Sequence, residues 1–145
     1  MKVLVDSNVV LNKLLKQPAF FAGSNAIFTL AEIGQIANQR FEGYISASAV
    51  TDIYYIAGKS LGKTTAHEAI KKMLQVFYPA TVTDKNIYQA LDLEWQDFED
   101  SVQYVVGESL AVDYIITRNI KDFTSGSIPA VTPEQFIEII TDSEK

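Results

Sequence analysis

The arrangement that most constrains the fold of this chain is an alternation of short apolar runs with longer segments of helical periodicity. Runs rich in β-branched residues at positions 3–5, 43–45 and 113–116 predict buried strands, and a weaker run predicts a further strand at 80–82. Helical segments separate these runs along the chain. Strands that alternate with helices are typical of a small parallel sheet covered by helices on both faces, so we expect the α/β class.

The helical segments are marked by apolar residues at intervals of three and four and by signals at their ends. A capping box of Thr65 with Glu68 predicts a helix that starts at Thr65. Thr132, followed by Pro133 and Gln135, predicts the start of the last helix. No linker, repeat or low-complexity tract divides the sequence, so we expect residues 1–145 to form one domain. The other helices are predicted at residues 9–16, 25–39, 49–58, 85–93 and 98–110.

Composition excludes several classes of function. The chain has no cysteine, and therefore no disulfide, thiol nucleophile or thiolate metal site. Its one histidine, His67, argues against a histidine triad or a zinc site. The net charge of −6 and the presence of only two arginines argue against binding nucleic acid by phosphate neutralisation alone. With no apolar run of about 18 residues and an acid close to the start, we expect a cytoplasmic protein without a membrane helix or a signal peptide.

Acidic and polar side chains follow the ends of the predicted strands. Asp6 comes directly after the first strand, and Asp52 lies in the helix that follows the second. Thr117, Asn119 and Asp122 follow the strand that ends at residue 116. Because ligands of an open parallel sheet bind outside the carboxyl ends of its strands, these groups converge on one edge if the strands are neighbours. Carboxylates gathered there need a compensating cation, and oxygen ligands select Mg²⁺ or Mn²⁺.

Each of these residues also has a purely structural interpretation. Asp6 could start a turn or cap the helix that follows it, and Asp52 could be solvated on the surface of its helix. Asp97 and Asp100 share one face at the start of a predicted helix, where they could cap it or support its positive end. The polar residues after position 116 could simply shape a loop. The joint arrangement favours a site more than any single residue does.

Four segments of the chain resemble a PIN domain in their order and separation. They are V-L-V-D-S-N-V-V-L near the start, Y-I-S-A-S-A-V-T-D-I-Y-Y-I, D-F-E-D-S-V-Q-Y-V-V and D-Y-I-I-T-R-N-I-K-D-F. The closing segment, I-P-A-V-T-P-E-Q-F, is also similar to bacterial members of the family. Each motif is short, but four of them in sequence across nearly the whole chain make the resemblance specific.

This resemblance implies a three-layer α/β/α sandwich and the activity of a Mg²⁺- or Mn²⁺-dependent endoribonuclease. Many stand-alone bacterial members, similar to the VapC group, are toxins of type II toxin–antitoxin modules. Carried over by position, the implied catalytic residues are Asp6, Asp52, Asp100 and Asn119, the metal ligands are Asp6, Asp100, Asn119 and Asp122, and the supporting residues are Asp97, Ser7 and Thr117.

Two positions depart from the family pattern. The commoner pattern has glutamate where this chain has Asp52, which is one methylene shorter, and the neutral Asn119 stands where aspartate also occurs. Both changes reduce the charge or the reach of the implied site. The alternative function is therefore a catalytically silent PIN-like module that binds a protein. A receiver-like phosphoacceptor domain is less well supported, because the lysine that it needs after its last strands has no clear counterpart.

The resemblance also implies partners, namely an RNA substrate, a cognate antitoxin and a second copy of the chain in a homodimer. We expect part of the apolar surface of the early helices to form such an interface. We expect Trp95 to belong to the core or its rim rather than to stack on bases. The candidate contacts to an RNA backbone are Lys13, Lys16, Lys59, Lys63 and Arg118.

Overall fold

The computed structural model of the chain describes residues 1–36 and 41–142. Within them, one sheet contains five strands, which are β1 (Lys2–Val5), β2 (Glu42–Ser46), β3 (Tyr78–Ala80), β4 (Tyr114–Ile116) and β5 (Ala130–Val131). The strand order is β3-β2-β1-β4-β5, and all neighbouring strands are parallel. β1 is therefore the central strand, and the carboxyl ends of all five strands lie along one edge.

Helices connect these strands, as the alternation in the sequence predicts. A 3₁₀ turn, Ile120–Phe123, follows β4 before the chain enters β5. In the described residues, the α-helices are α1 (Ser7–Leu14), α2 (Phe21–Ile36), α3 (Ala47–Leu61), α4 (Lys63–Val76), α5 (Asp84–Leu93), α6 (Phe98–Leu110) and α7 (Pro133–Asp142).

The sheet separates two apolar cores. Val3 and Val5 point to the core that is shared with α1, α2, α3, α4 and α7, and both side chains are fully buried. Leu4, between them, points to the other face, where it packs with Ile115 and with residues of α5 and α6. This alternation follows from the two-residue period of a strand that is buried on both faces. The three-layer α/β/α sandwich and the small parallel sheet are therefore confirmed.

Two capping signals in the sequence have different outcomes. The backbone N–H of Gln135 donates to Thr132 Oγ1 at 3.2 Å, and the Gln135 side chain accepts from the Thr132 N–H at 2.9 Å, so Thr132 is the predicted N-cap of α7 and also forms a capping box. The predicted start at Thr65 is wrong, because α4 begins two residues earlier. Gly62 there has a φ of 90°, a conformation that glycine adopts without strain. The break between α3 and α4 lies at this glycine, and Thr65 falls inside the helix.

Other predicted bounds differ from the structure by a few residues. α2 begins at Phe21 rather than at residue 25, and the last predicted residues, 37–39, lie outside the described residues. α1 begins directly after Asp6 rather than at residue 9, and β3 lies two residues before the predicted 80–82. In the part of the chain that the structure describes, no helix has the length and apolarity to cross a lipid bilayer.

Candidate active site

Asp6 is the buried acid at the centre of the sheet edge. It follows β1, its backbone N–H donates to the carbonyl of Ile116 at the end of β4, and the residue is only 4% exposed. Gln103 Nε2 donates to Asp6 Oδ1 at 2.6 Å, while Thr117 Oγ1 and Asn8 Nδ2 donate to Asp6 Oδ2 at 2.7 Å and 3.0 Å. Asp6 stands at the N-cap position of α1 but makes no side-chain capping bond. Its side chain is held instead by side chains of α1, of α6 and of the loop after β4.

The donors that surround Asp6 in the described structure are all neutral. Ser7 Oγ lies 3.5 Å from Asp6 Oδ1, at the limit of a hydrogen bond, and completes this set. Burial raises the pKa of Asp6, and the hydrogen bonds from Thr117, from the Ser7 backbone and from Gln103 oppose that rise. A buried carboxylate with neutral donors alone keeps an uncompensated charge when it ionises.

Asp100 lies on α6, near enough to Asp6 for their charges to interact. Burial, and after it the charges of Asp97, Asp6, Asp122 and Glu99, raise the pKa of Asp100 to about 7. These acids belong to β1, α6 and the 3₁₀ turn, so residues that are distant in the sequence share one electrostatic environment. A half-buried carboxyl that is poised near pH 7 is typical of functional sites.

Glu99 connects Asp52 to this group. Burial raises the pKa of Glu99 to about 7, followed by a hydrogen bond to Asp52 and by the charges of Asp52, Asp97 and Asp6. Asp52 lies on α3, so this bond joins the helix after β2 to the start of α6. We call Asp6, Asp52, Asp97, Glu99, Asp100 and Asp122 the acid cluster. The sequence analysis did not select Glu99 for the site.

Asp97 has the structural role that was left open for it. It is the N-cap of α6, and its Oδ1 accepts the backbone N–H of Asp100 at 3.0 Å. This bond satisfies one of the free N–H groups at the start of the helix and fixes the backbone from which Asp100 projects. Asp97 also lines the cavity described below. Capping and membership of the acid cluster therefore coexist in one residue.

Thr117 links Asp6 to the loop that follows β4. Thr117 Oγ1 donates to Asp6 and accepts the backbone N–H of Asn119 at 3.0 Å, so one hydroxyl ties the loop after β4 to the central acid. Asn119 is exposed, and within the described residues its hydrogen bonds are made by its backbone. Asp122, also exposed, lines the cavity beside Asp100.

A cavity of about 770 Å³ opens beside the acid cluster. Its walls come from the segment between α5 and α6, from the start of α6 and from the 3₁₀ turn. Lys121 is the one basic side chain among the described residues that line it. The sequence analysis did not select Lys121. The described residues that line the cavity are Leu93, Glu94, Trp95, Gln96, Asp97, Asp100, Lys121, Asp122 and Ser125.

Arg118, a candidate for contact with an RNA backbone, makes contacts within the protein. Its side chain is 13% exposed, and Nη1 forms an ion pair with Glu134 of α7 at 2.5 Å. Nη2 donates to the carbonyl of Phe20 at 3.3 Å, and the guanidinium lies 4.7 Å from the centre of the Phe20 ring. Arg118 therefore ties the loop after β4 to Phe20, directly before α2, and to α7. Its contact with an RNA backbone stays a prediction.

The chemistry of the acid cluster fits a hard divalent cation. Its donors are carboxylate oxygens, and burial together with the neighbouring carboxylates raises the pKa values of Asp100 and Glu99. Within the residues described, however, no three acidic or histidine side chains stand close enough to form a ready ligand group. Mg²⁺ usually keeps several waters and takes only one or two carboxylates, so a complete set of protein ligands is not required.

Comparisons with known proteins agree with this architecture. Residues 2–121 match the sequence model of a family described as PIN domain. No curated protein sequence matches the chain. Among solved structures, VapBC2 from Rickettsia felis, bound to a DNA fragment from its promoter, gives a TM-score of 0.67 at 16% identity, covering 90% of this chain and 97% of that chain.

Two further structures show the same fold. VapC20 from Mycobacterium tuberculosis, a toxin that cleaves the sarcin-ricin loop, gives a TM-score of 0.65 at 13% identity and covers 86% of this chain and 95% of that chain. A toxin–antitoxin complex from Klebsiella pneumoniae gives 0.62 at 18% identity, with coverage of 90% and 97%. At these identities, the likeness concerns the fold.

Proposed function

The chain belongs to the PIN domain family, and from that membership we propose that it is a Mg²⁺- or Mn²⁺-dependent endoribonuclease, the toxin of a type II toxin–antitoxin module. The observation that carries the proposal is the acid cluster at the carboxyl edge of the sheet. There, buried Asp6 has only neutral donors, and Asp100 and Glu99 both have pKa values of about 7. A fully buried structural acid is normally paired with a cation, whereas the described donors around Asp6 are all neutral.

Asp6 and Asp100, with Asp122 or Asn119, are the residues that would hold the cation. A bound divalent ion lowers the pKa of a water molecule and neutralises charge on the scissile phosphate and on the leaving oxygen. Thr117 and Gln103 keep the Asp6 carboxylate in one orientation through hydrogen bonds of 2.7 Å and 2.6 Å. Their hydrogen bonds allow Asp6 to present the same lone pairs at every turnover.

The pair of Asp52 and Glu99 is suited to accept a proton. Because the pKa of Glu99 lies near 7, a proton moves on and off this pair at neutral pH. In hydrolysis, the oxygen of a water attacks phosphorus, its proton passes to the acid pair, and the bond from phosphorus to the leaving oxygen breaks. Asp52 is one methylene shorter than the glutamate of the commoner family pattern. Its hydrogen bond to Glu99 compensates for this length, because the Glu99 carboxylate extends the pair into the acid cluster.

The proposed partners follow from the family and the shared fold. The structure from R. felis is VapBC2, the one from K. pneumoniae is a toxin–antitoxin complex, and the one from M. tuberculosis is a toxin that cleaves the sarcin-ricin loop. We propose by analogy an RNA substrate, a cognate antitoxin, a homodimeric state and a cytoplasmic location for this chain. A small open reading frame directly upstream of its gene would support the antitoxin.

A catalytically silent module that binds a protein is the second candidate. It is favoured by the neutral Asn119, by the short Asp52 and by the lack of a ready ligand group among the described residues. The two candidates differ in one respect that can be measured, which is the breaking of a phosphodiester bond.

The test is RNA cleavage by the purified protein with Mn²⁺, with Mg²⁺ and with a chelator. Wild type should cleave in either metal and not in the chelator, and Asp100→Asn should lose cleavage. Asp92→Asn is the matched control, because Asp92 is exposed on α5 and does not line the cavity beside the acid cluster. Cleavage that persists in chelator, or in Asp100→Asn, would contradict the proposal. No cleavage in any condition would favour the silent module.

A further inference from the structure

Trp95 stands in the wall of the cavity beside the acid cluster. It is half-buried, and it is the one tryptophan of the chain. It follows Glu94, whose φ of 55° ends α5 in the left-handed conformation and turns the chain back toward α6. Asp97 then starts α6 two residues after Trp95. Trp95, on the short connection between α5 and α6, and Asp100, in the first turn of α6, therefore lie close in the sequence and line the same cavity.

The indole ring is held in place from behind. Its centroid lies 4.8 Å from the ring of Tyr104 at an interplanar angle of 43°, and 6.3 Å from the ring of Phe123 in an edge-to-face contact. Both supporting rings are buried, and the Tyr104 hydroxyl accepts the backbone N–H of Ser127 at 2.9 Å. Because its buried neighbours already fix the ring, the side chain loses little further conformational entropy when a ligand stacks on it.

The other groups in the wall complement a nucleotide. Gln96 carries both a donor and an acceptor next to Trp95, as the edge of a nucleobase requires. Lys121 supplies a positive charge in the same lining, as a backbone phosphate requires. The volume of about 770 Å³ lies within the range of small-ligand pockets. Aromatic stacking plus a cation is the usual means by which proteins hold a single strand of nucleic acid.

We propose that this cavity is a nucleobase subsite, in which an unpaired base of single-stranded RNA stacks on Trp95 while Lys121 contacts a neighbouring phosphate. This inference rests on the proposed ribonuclease function and adds to it the part of the substrate that is bound beside the acid cluster. The earlier expectation placed Trp95 in the core or its rim. Its position on the rim is what leaves part of the ring available.

The charges in the cavity favour a base over other parts of RNA near the ring. Glu94, Asp97 and Asp100 repel a phosphate, whereas a neutral base meets no such repulsion. The phosphate contact is therefore expected at Lys121 and not at Trp95. An arginine side chain of a protein partner is the competing occupant, since it stacks on tryptophan and pairs with carboxylates. The experiment below includes it as a separate outcome.

Fluorescence of the single tryptophan provides a direct test that does not require cleavage. The Asp100→Asn protein, in Mg²⁺, is titrated with hexaadenylate RNA, with an abasic hexamer of the same charge and with N-acetylarginine amide. We expect the RNA to quench Trp95 in a saturable way, and the abasic hexamer to leave the fluorescence nearly unchanged. Equal quenching by both hexamers, no quenching by RNA, or quenching by the arginine compound alone would overturn the proposal.

Steady-state cleavage tests the same contact in the working enzyme. Base stacking is worth enough that Trp95→Leu should raise KM for a single-stranded RNA by roughly tenfold or more, with kcat little changed, whereas Trp95→Phe should raise it much less. Tyr88→Leu, which removes an exposed ring on α5 that does not line the cavity, is the matched control and should leave KM unchanged. Thermal melts of each variant establish that it is folded.

The two proposals fail in different ways. If RNA quenches Trp95 fluorescence but wild type cleaves RNA with neither Mn²⁺ nor Mg²⁺, the nucleobase subsite is supported and the ribonuclease function is contradicted. If wild type cleaves RNA and Trp95→Leu, folded, has the KM of wild type, the function stands and the subsite falls. If Trp95→Leu does not fold, the quenching of the wild-type ring and the KM of Trp95→Phe decide the question. The proposal then requires that Trp95→Phe raises KM more than Tyr88→Leu does.

Discussion

Replacing Asp100 by asparagine tests whether the acid cluster destabilises the folded protein when no cation is bound. The pKa of Asp100 is raised from 3.8 to about 7 by burial and by the neighbouring carboxylates. Between those two pH values, the unfolded chain has released this proton and the folded protein still holds it, so the free energy of unfolding falls as pH rises. Above pH 7 both states are ionised, and the whole penalty is present.

The size of the effect follows from the pKa. A rise from 3.8 to about 7 corresponds to roughly 4 kcal/mol at 1.36 kcal/mol per pH unit. Because the side chain is about half exposed, solvent screens much of the repulsion, and we expect about 1–2 kcal/mol. Asparagine keeps the shape of the side chain and removes its charge. At pH 8, Asp100→Asn should therefore melt roughly 3–6 °C above wild type, and at pH 4 the two proteins should melt together.

Thermal melts followed by circular dichroism, in buffer that contains a chelator, measure this difference at both pH values. The control is Asp92→Asn, which removes an exposed charge on α5 and should leave the melting temperature unchanged at both. An Asp100→Asn protein that melts below wild type at pH 8 would refute the reasoning. A gain of equal size at pH 4 and pH 8 would also refute it, since the gain would then not come from the lost charge.

Three further predictions concern stability. Mn²⁺ at about 100 times its dissociation constant should stabilise wild type by about 2.7 kcal/mol in thermal melts, and Asp100→Asn should lose most of this gain. Arg118→Ala should lower the free energy of unfolding in urea by about 1–2 kcal/mol, because it removes the ion pair to α7; an unchanged midpoint would mean that the pair is solvent-screened. Thr132→Ala should cost about 1 kcal/mol through the lost capping box, whereas Thr65→Ala, inside α4, should change stability by less than about 0.5 kcal/mol.

The topology could be predicted from the sequence because two periodicities agree with it. The buried runs in β1 and β4 have the length of strands, and the segments between them have apolar residues at helical spacing. Their alternation leaves a parallel sheet as the natural arrangement. The exact ends of the elements depend on the conformations of single residues. α4 begins directly after Gly62, whose positive φ separates it from α3, so the capping pattern at Thr65 does not determine the start of the helix.

The candidate site could be predicted only in part. Strand ends give Asp6 and Thr117 directly, because the residue after a buried parallel strand must lie at the sheet edge. Gln103 gave no such signal, since it lies in a continuously buried stretch of α6, where a glutamine is unexpected. Its amide is explained only by the carboxylate of Asp6, which is 97 residues away in sequence. A contact between residues so far apart in the sequence cannot be predicted from the local sequence pattern around either of them.

The charged residues were the hardest to assign for the same reason. Arg118 lies in the loop beside the site and was a candidate for contact with RNA, whereas the structure shows its Nη1 and Nη2 at Glu134 of α7 and at the carbonyl of Phe20. Lys121, three residues further on, lines the cavity instead. Glu99 is next to Asp100, and in the sequence alone it indicates support for the positive end of the helix. Its hydrogen bond to Asp52 of α3 becomes visible only in the folded structure. Each assignment depends on which distant element packs nearby.

A calorimetric titration with Mn²⁺, without RNA, tests most directly the claim that the acid cluster is a cation site. At pH 7 the carboxyls of Asp100 and Glu99 are each partly protonated, because their pKa values are about 7. A cation that binds among them must displace protons. We predict saturable binding with proton release, seen as a dependence of the heat on the buffer, and a large loss of both in Asp6→Asn and Asp100→Asn. Binding that releases no protons, or that is as tight in both variants as in wild type, would contradict the claim.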